Sequence, residues 1–215
     1  MIRKEIFKSN TIYHLCNKSI AGFKIFKNKE NCIRFLKVLY YYNTNNYITR
    51  FSYANKKGDL NNSQLIYPKK DSKIKFISYC IMPDHYHILI KILKNNCLSR
   101  YINTVEGSFT RYLNIKLHRK GPLWQSAFKA IRVKTQEQLI HVTRYIHLNP
   151  TTDKLVKNPE DWEFSSFKDY IFDKKILQNI LIELTIKNID TYKKFVLNRK
   201  DYQQKLKKIR KLLLE

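Results

Sequence analysis

The sequence predicts an α+β domain whose antiparallel strands are flanked by helices, and three observations carry that prediction. Residues 73–81 and 85–93 are two runs of strand formers joined by Met82-Pro83-Asp84. Proline suits a turn and does not fit a central strand, so the two runs should be antiparallel neighbours. Residues 98–117 place Ile102, Val105, Phe109, Tyr112 and Leu113 at helical spacing, which marks one buried stripe. Short strand-forming runs at Ile12-Tyr13-His14-Leu15-Cys16 and at 128–133 supply further strands.

The elements follow in order. The first strand lies within residues 10–20, and its His14 reads as a packed or hydrogen-bonded strand residue rather than a ligand. From Asn28 a helix begins, with Cys32, Phe35, Leu36, Leu39 and Tyr40 on one face, and it fades near Asn43. Residues 47–72 mix their signals and contain turn-rich stretches around Gly58 and Asn61. They read as a basic insertion close to the partner. The helix over 98–117 keeps Arg100, Arg111, Lys116 and Arg119 off its buried stripe, and Lys120-Gly121-Pro122 breaks it. Alternation over 128–133 predicts one apolar and one basic face. Lys129 and Arg132 beside Phe128 then suit either a nucleic-acid platform or an ordinary edge strand. Thr135 is an N-cap, with Gln138 three residues on to complete a capping box. The helix it starts should run to about Leu148 and stop at Pro150. Residues 173–215 read as one or two basic helices, the last bearing Leu206, Ile209, Leu212 and Leu213 on one side. The expected division is a domain over 1–172, with an insertion at about 47–72, and a basic helical extension over 173–215.

Charge narrows the partner. The chain has 42 Lys+Arg against 17 Asp+Glu, a net charge of +25. That excess favours a polyanion, nucleic acid first and an anionic membrane surface second. A lysine-rich proteome also raises the count, but it does not interleave aromatic residues with the basic ones. A hydrophobic content of 43% excludes a disordered chain. Four cysteines without CxxC spacing suit a reducing interior. The first residues lack the apolar core of a signal peptide, and no apolar run approaches the ~18 residues that span a bilayer. A cytoplasmic location is expected.

Two segments carry chemistry. In Pro83-Asp84-His85-Tyr86-His87 an extended strand projects His85 and His87 from one side, while Tyr86, Ile88, Ile90 and Ile92 point to the other. Two imidazoles so placed can share a metal ion, or they can be ordinary polar residues on a solvent face. Further on, Tyr145 and Asn149 stand one helical turn apart. An Asn carbonyl can join two imidazoles on Mg²⁺ or Mn²⁺, and a phenolate beside that cation can attack a phosphodiester. With 15 tyrosines in the chain, spacing alone leaves the assignment of Tyr145 open.

The residues also resemble a family. Met82-Pro83-Asp84-His85-Tyr86-His87-Ile88-Leu89 is similar to the MPNHxHLL segment of single-tyrosine HUH-superfamily transposases, and Tyr145-Ile146-His147-Leu148-Asn149-Pro150 to their YIHxNP segment. Phe109 to Asn114, Gly121 to Gln125 and Trp162 to Ser166 resemble further segments in the same order, over roughly residues 11–170. The REP-associated tyrosine transposase branch is the nearest likeness. The resemblance implies a ferredoxin-like domain with a central antiparallel sheet, the HUH endonuclease fold. It makes His85 and His87 metal ligands, Asn149 the third ligand and Tyr145 the nucleophile. The implied activity is divalent-metal-dependent cleavage and rejoining of single-stranded DNA, often guided by a hairpin, through a 5′-phosphotyrosine. Arg111, Arg119, Lys120, Lys129 and Arg132 are the expected phosphate contacts. Tyr86 stands where the family has an aliphatic residue, and residues 47–72 are longer than the family pattern. Members act as dimers and as monomers, so a homodimer is one of two assemblies the resemblance allows. Two other readings compete. One is a non-catalytic module that binds single-stranded nucleic acid on a similar sheet. The other is a membrane-surface protein using its C-terminal basic helix, which leaves the histidines unexplained.

Overall fold

The computed structural model describes residues 6–47, 49–56, 71–172, 188–199 and 203. Four strands form one antiparallel sheet: β1 (Ile12–Lys18), β2 (Ile74–Ile81), β3 (His85–Ile92) and β4 (Lys129–Val133). Their spatial order is β2-β3-β1-β4. The β2–β3 hairpin turns at Met82-Pro83-Asp84 as its proline requires, and β1 and β3 pair from Ile12 opposite Lys91 to Lys18 opposite His85. Connecting helices fill the crossovers: α1 (Lys29–Tyr42) and α2 (Phe51–Lys56) between β1 and β2, and α3 (Leu98–Lys116) between β3 and β4. α4 (Gln136–Thr152) follows the last strand. This is the expected ferredoxin-like α+β arrangement.

The two faces of the sheet are covered differently. Tyr86, Ile88, Ile90 and Ile92 project from β3 toward α1 and α3, and all four are buried. Phe35 of α1 stacks 5.2 Å from Tyr86, and Phe109 of α3 packs 5.1 Å from Phe35. Burying such aromatic rings contributes roughly 2–3 kcal/mol each and makes this layer the main core. Glu106 of α3 is buried within it, where its carboxylate accepts from the Tyr86 hydroxyl and the Asn17 amide at 2.8 Å each. The other face, which carries His85 and His87, lies under α4.

α4 starts as expected, with the Thr135 hydroxyl accepting from the Gln138 amide at 3.1 Å. The reciprocal bond is shifted by one residue, because Gln138 Oε1 accepts from Lys134 N. The expected stop before Pro150 is wrong, since the helix continues through it to Thr152. Proline removes its own amide bond to the preceding turn and crowds the carbonyl four residues back, yet here the helix ends at Thr152, within a turn of it. Asp153 N and Leu155 N then bond the Asn149 and Pro150 carbonyls. Buried Tyr170 of α5 (Phe167–Phe172) donates to the Ile77 carbonyl, where the β2–β3 register shifts between Phe76 and Ser78. A further helix, α6 (Ile189–Leu197), packs on α4 through Tyr192. The expected final amphipathic helix and most of the 47–72 insertion lie outside the described residues. No helix among the described residues is long and apolar enough to cross a membrane.

β4 corrects another expectation. Lys129 pairs with Cys16 and Arg132 with Tyr13, so they emerge from opposite faces, as any two strand residues three apart must. Phe128 is buried. The strand therefore has no single basic platform beside an exposed ring.

Candidate active site

The site assembles on the face of the sheet beneath α4. His87 sits across from Cys16 and His85 across from Lys18, so both imidazoles leave β3 on the same side. Their rings are 5.0 Å apart and nearly perpendicular. Each is tied at Nδ1. For His85 the partner is the carboxylate of Asp84 at 2.5 Å, itself 3.4 Å from Lys18 Nζ. For His87 it is Nε2 of His14, 3.0 Å away. A carboxylate only accepts, so the His85 Nδ1–H donates to Asp84. With His87 Nδ1–H likewise donating to His14, Nε2 is the nitrogen each ring leaves uncommitted by these bonds, the arrangement outer-shell partners commonly give ligating histidines.

Electrostatics supports neutral rings. Burial pulls His14 down to about 4 and His87 well below the usual histidine value, the latter reinforced by His14 and His85. A neutral imidazole is the form that binds metal. Burial pushes Asp84 up, but the bonds from His85 and Lys18 outweigh it and leave a net downward shift.

Tyr145 comes from α4. Its ring meets His87 edge-on at 5.5 Å and His14 at 6.2 Å, and the residue remains 40% exposed. The phenol thus stands beside the imidazoles with access to solvent. Asn149 is buried one turn later, and its Nδ2 donates to the Tyr145 carbonyl at 3.0 Å, so its Oδ1 is the end not used in that bond. Two imidazoles and one amide oxygen are donor types that a divalent cation such as Mn²⁺ or Mg²⁺ would accept. Among the described residues no three His, Cys, Asp or Glu side chains are grouped as a metal site, so a cation here depends on that amide.

Sequence reasoning missed two participants. His14 is the packed, hydrogen-bonded strand residue expected, but that its partners are His87 and Tyr145 was not foreseen. Only the β1–β3 register reveals this. Asp84 carried a signal, because a carboxylate next to a candidate ligand is a ready outer-shell partner. The five expected DNA contacts do not form one patch. Lys129 shares the histidine face, Arg132 emerges opposite, and Arg111, Arg119 and Lys120 belong to α3 and the loop after it.

Comparison with known proteins bears on this geometry. Residues 43–149 match the family model described as "Transposase IS200 like". The chain therefore contains a stretch similar to an IS200-like transposase domain. That match contains His85 and His87 and ends at Asn149. A Haemophilus influenzae protein assigned as a REP-associated tyrosine transposase is 30% identical over 102 residues, 42% of this chain and 57% of the relative. The REP-associated tyrosine transposase of Escherichia coli K12 is 24% identical over 104 residues, 48% and 60% of the two chains. This chain thus spans about three fifths of the curated relatives it matches. In three dimensions the chain is similar to a REP-associated tyrosine transposase solved with a REP hairpin, with TM-score 0.54, 16% identity, and coverage of 80% and 86%. That likeness concerns the fold alone.

Proposed function

We propose that this chain is a DNA strand transferase that cleaves and rejoins single-stranded DNA at hairpin-marked sites, with Tyr145 as nucleophile. The observation that carries the reading is the Tyr145 ring set edge-on against His87 while both histidines are fixed at Nδ1. His85, His87 and the Asn149 carbonyl would hold Mg²⁺ or Mn²⁺. The cation would polarise the phosphodiester and neutralise its charge. Tyr145 loses its proton to water through its exposed edge, and its Oη bonds the phosphorus as the P–O3′ bond breaks. The departing 3′ oxygen takes a proton from water. A 5′-phosphotyrosine and a free 3′-hydroxyl result. Rejoining reverses the step: a 3′-hydroxyl attacks the phosphorus, the tyrosine oxygen leaves, and the ester bond energy is retained throughout. Phenol and histidines belong to one chain, so the reaction needs no second subunit at the site.

The REP hairpin held by the solved transposase of similar fold supports a hairpin-bearing substrate, and the +25 charge supports a polyanion. The test is incubation of the wild type and Tyr145→Phe with labelled hairpin oligonucleotides and Mn²⁺. A denaturation-resistant protein–DNA adduct formed by the wild type alone is expected. Tight binding without an adduct, across a panel of hairpins, would replace the enzyme with a non-catalytic binding module.

A further inference from the structure

His14 sits in β1 with strands on both sides, opposite Leu89 of β3 and Ile131 of β4. Two hydrogen-bonded ladders fix its backbone, and the side chain is buried. Its ring lies 26° from the plane of the His87 ring, with the two centres 5.1 Å apart and 3.0 Å between its Nε2 and His87 Nδ1. A ring nitrogen donates and accepts close to the plane of its own ring, so near-coplanar rings at this distance are aligned for a hydrogen bond. The same ring meets the Tyr145 ring at 6.2 Å and 74°, an edge-to-face contact. One buried imidazole thus touches a proposed metal ligand and the proposed nucleophile.

The two proposed histidine ligands are backed by groups of different kinds. Asp84 can only accept, so its bond with His85 runs one way. A neutral imidazole carries one donor and one acceptor, so the bond between His14 and His87 has two possible directions. Run from His87, it leaves a lone pair on His87 Nε2 and puts the His14 proton on Nδ1. Run from His14, it puts the His87 proton on Nε2 and closes that nitrogen to a metal. Only the first direction makes His87 a ligand. The backing also leaves the ligands unequal: anionic Asp84 raises the basicity of His85, whereas neutral His14 makes His87 the weaker donor.

We propose that His14 is a positioning residue with two roles on one ring: its Nε2 accepts from His87 and keeps the His87 Nε2 open for the cation, while its ring sets the resting place of the Tyr145 phenol. The proposal rests on the reading of His87 as ligand and Tyr145 as nucleophile. It joins those two residues through a third that comes from a different strand. Packing alone asks for neither the in-plane alignment with His87 nor the contact with the phenol.

Two substitutions separate the roles. Phenylalanine keeps a ring and cannot accept, whereas glutamine offers an amide oxygen near the place of the histidine Nε2 and has no ring. His14→Phe should lower Mn²⁺ affinity, read by calorimetry without DNA, by about 10–100-fold. Its deficit in adduct formation on labelled hairpin oligonucleotides should shrink as Mn²⁺ is raised. His14→Gln should hold Mn²⁺ within about threefold of wild type, since an acceptor still faces His87. Its adducts should form about tenfold more slowly even at saturating Mn²⁺, because the phenol has lost its abutment. Nitrogen NMR of isotope-labelled wild type needs no variant to fold: with Mg²⁺ bound, His14 Nε2 should be the bare acceptor and His87 Nδ1 the protonated donor. Folded variants with wild-type Mn²⁺ affinity and wild-type adduct rates overturn the proposal, and so does a proton on His14 Nε2 in the Mg²⁺-loaded protein. A wild type that neither binds Mn²⁺ nor forms an adduct on any hairpin removes the reading beneath it instead.

Discussion

His87 and His147 are both buried histidines that burial holds neutral, His147 down to about 3. They differ in what their nitrogens do. His147 is satisfied on both sides, Nδ1 against the Tyr192 hydroxyl at 2.6 Å and Nε2 against Ser166 Oγ at 2.8 Å. The rings of Phe167, Tyr170 and Tyr192 enclose it. His87 is tied at one nitrogen by a second histidine and faces a half-exposed tyrosine. A depressed histidine pKa therefore marks burial, not chemistry. The ring nitrogen with no partner among the described residues distinguishes a candidate ligand from a brace.

Mutations can sharpen or break that contrast. Tyr145→Phe should reduce adduct formation on a denaturing gel by roughly 10⁴-fold or more, with folding stability shifted by less than about 0.5 kcal/mol. His87→Ala should lower Mn²⁺ affinity, read by calorimetry, by at least the ~100-fold that loss of an outer-shell partner can bring. His147→Ala should do the reverse. It should cost about 3 kcal/mol in urea unfolding, since it empties a packed site and orphans two partners, while the folded fraction keeps its Mn²⁺ affinity. Equal losses of metal affinity in the two variants would erase the distinction.

Acid should affect both histidine environments together. Between the ordinary histidine value near 6.5 and about 4, the unfolded chain binds a proton at His14 that the folded chain refuses. Stability therefore rises with pH in that window and falls on acidification, by about 3 kcal/mol for His14 alone. His147 extends the same trend toward pH 3. Urea midpoints measured from pH 7.5 down to 4 check this, and a flat profile would contradict the buried neutral rings. The smallest expected effect is Tyr192→Phe, which leaves His147 Nδ1 unpartnered and should cost about 1–2 kcal/mol without altering Mn²⁺ binding.

The strands and long helices were legible because their signals are local. Alternation in β3 put His85 and His87 on one side, and the spacing in α3 picked out Ile102, Val105 and Phe109, all buried. Tyr145 and Asn149 were legible for the same reason, as neighbours one turn apart. What escaped depended on partners distant in sequence. His14 reaches His87 only through strand pairing, 73 residues apart, which no window along the chain contains. Read alone, its strand makes Phe128 a surface ring, yet the fold buries it. Pro150 carries a strong local stop, but the bonds to the Asn149 and Pro150 carbonyls prolong the helix past it.

The hydroxyl of Tyr192 has a practical consequence for anyone shortening this chain. α6 meets the back of the helix that bears Tyr145, through a hydrogen bond to a residue only two places further along. A truncation ending at Phe172 would keep every proposed catalytic residue and still strip the covering from His147. Such a fragment should melt earlier than the full chain, so lost cleavage in it would report a loosened support rather than a missing reagent.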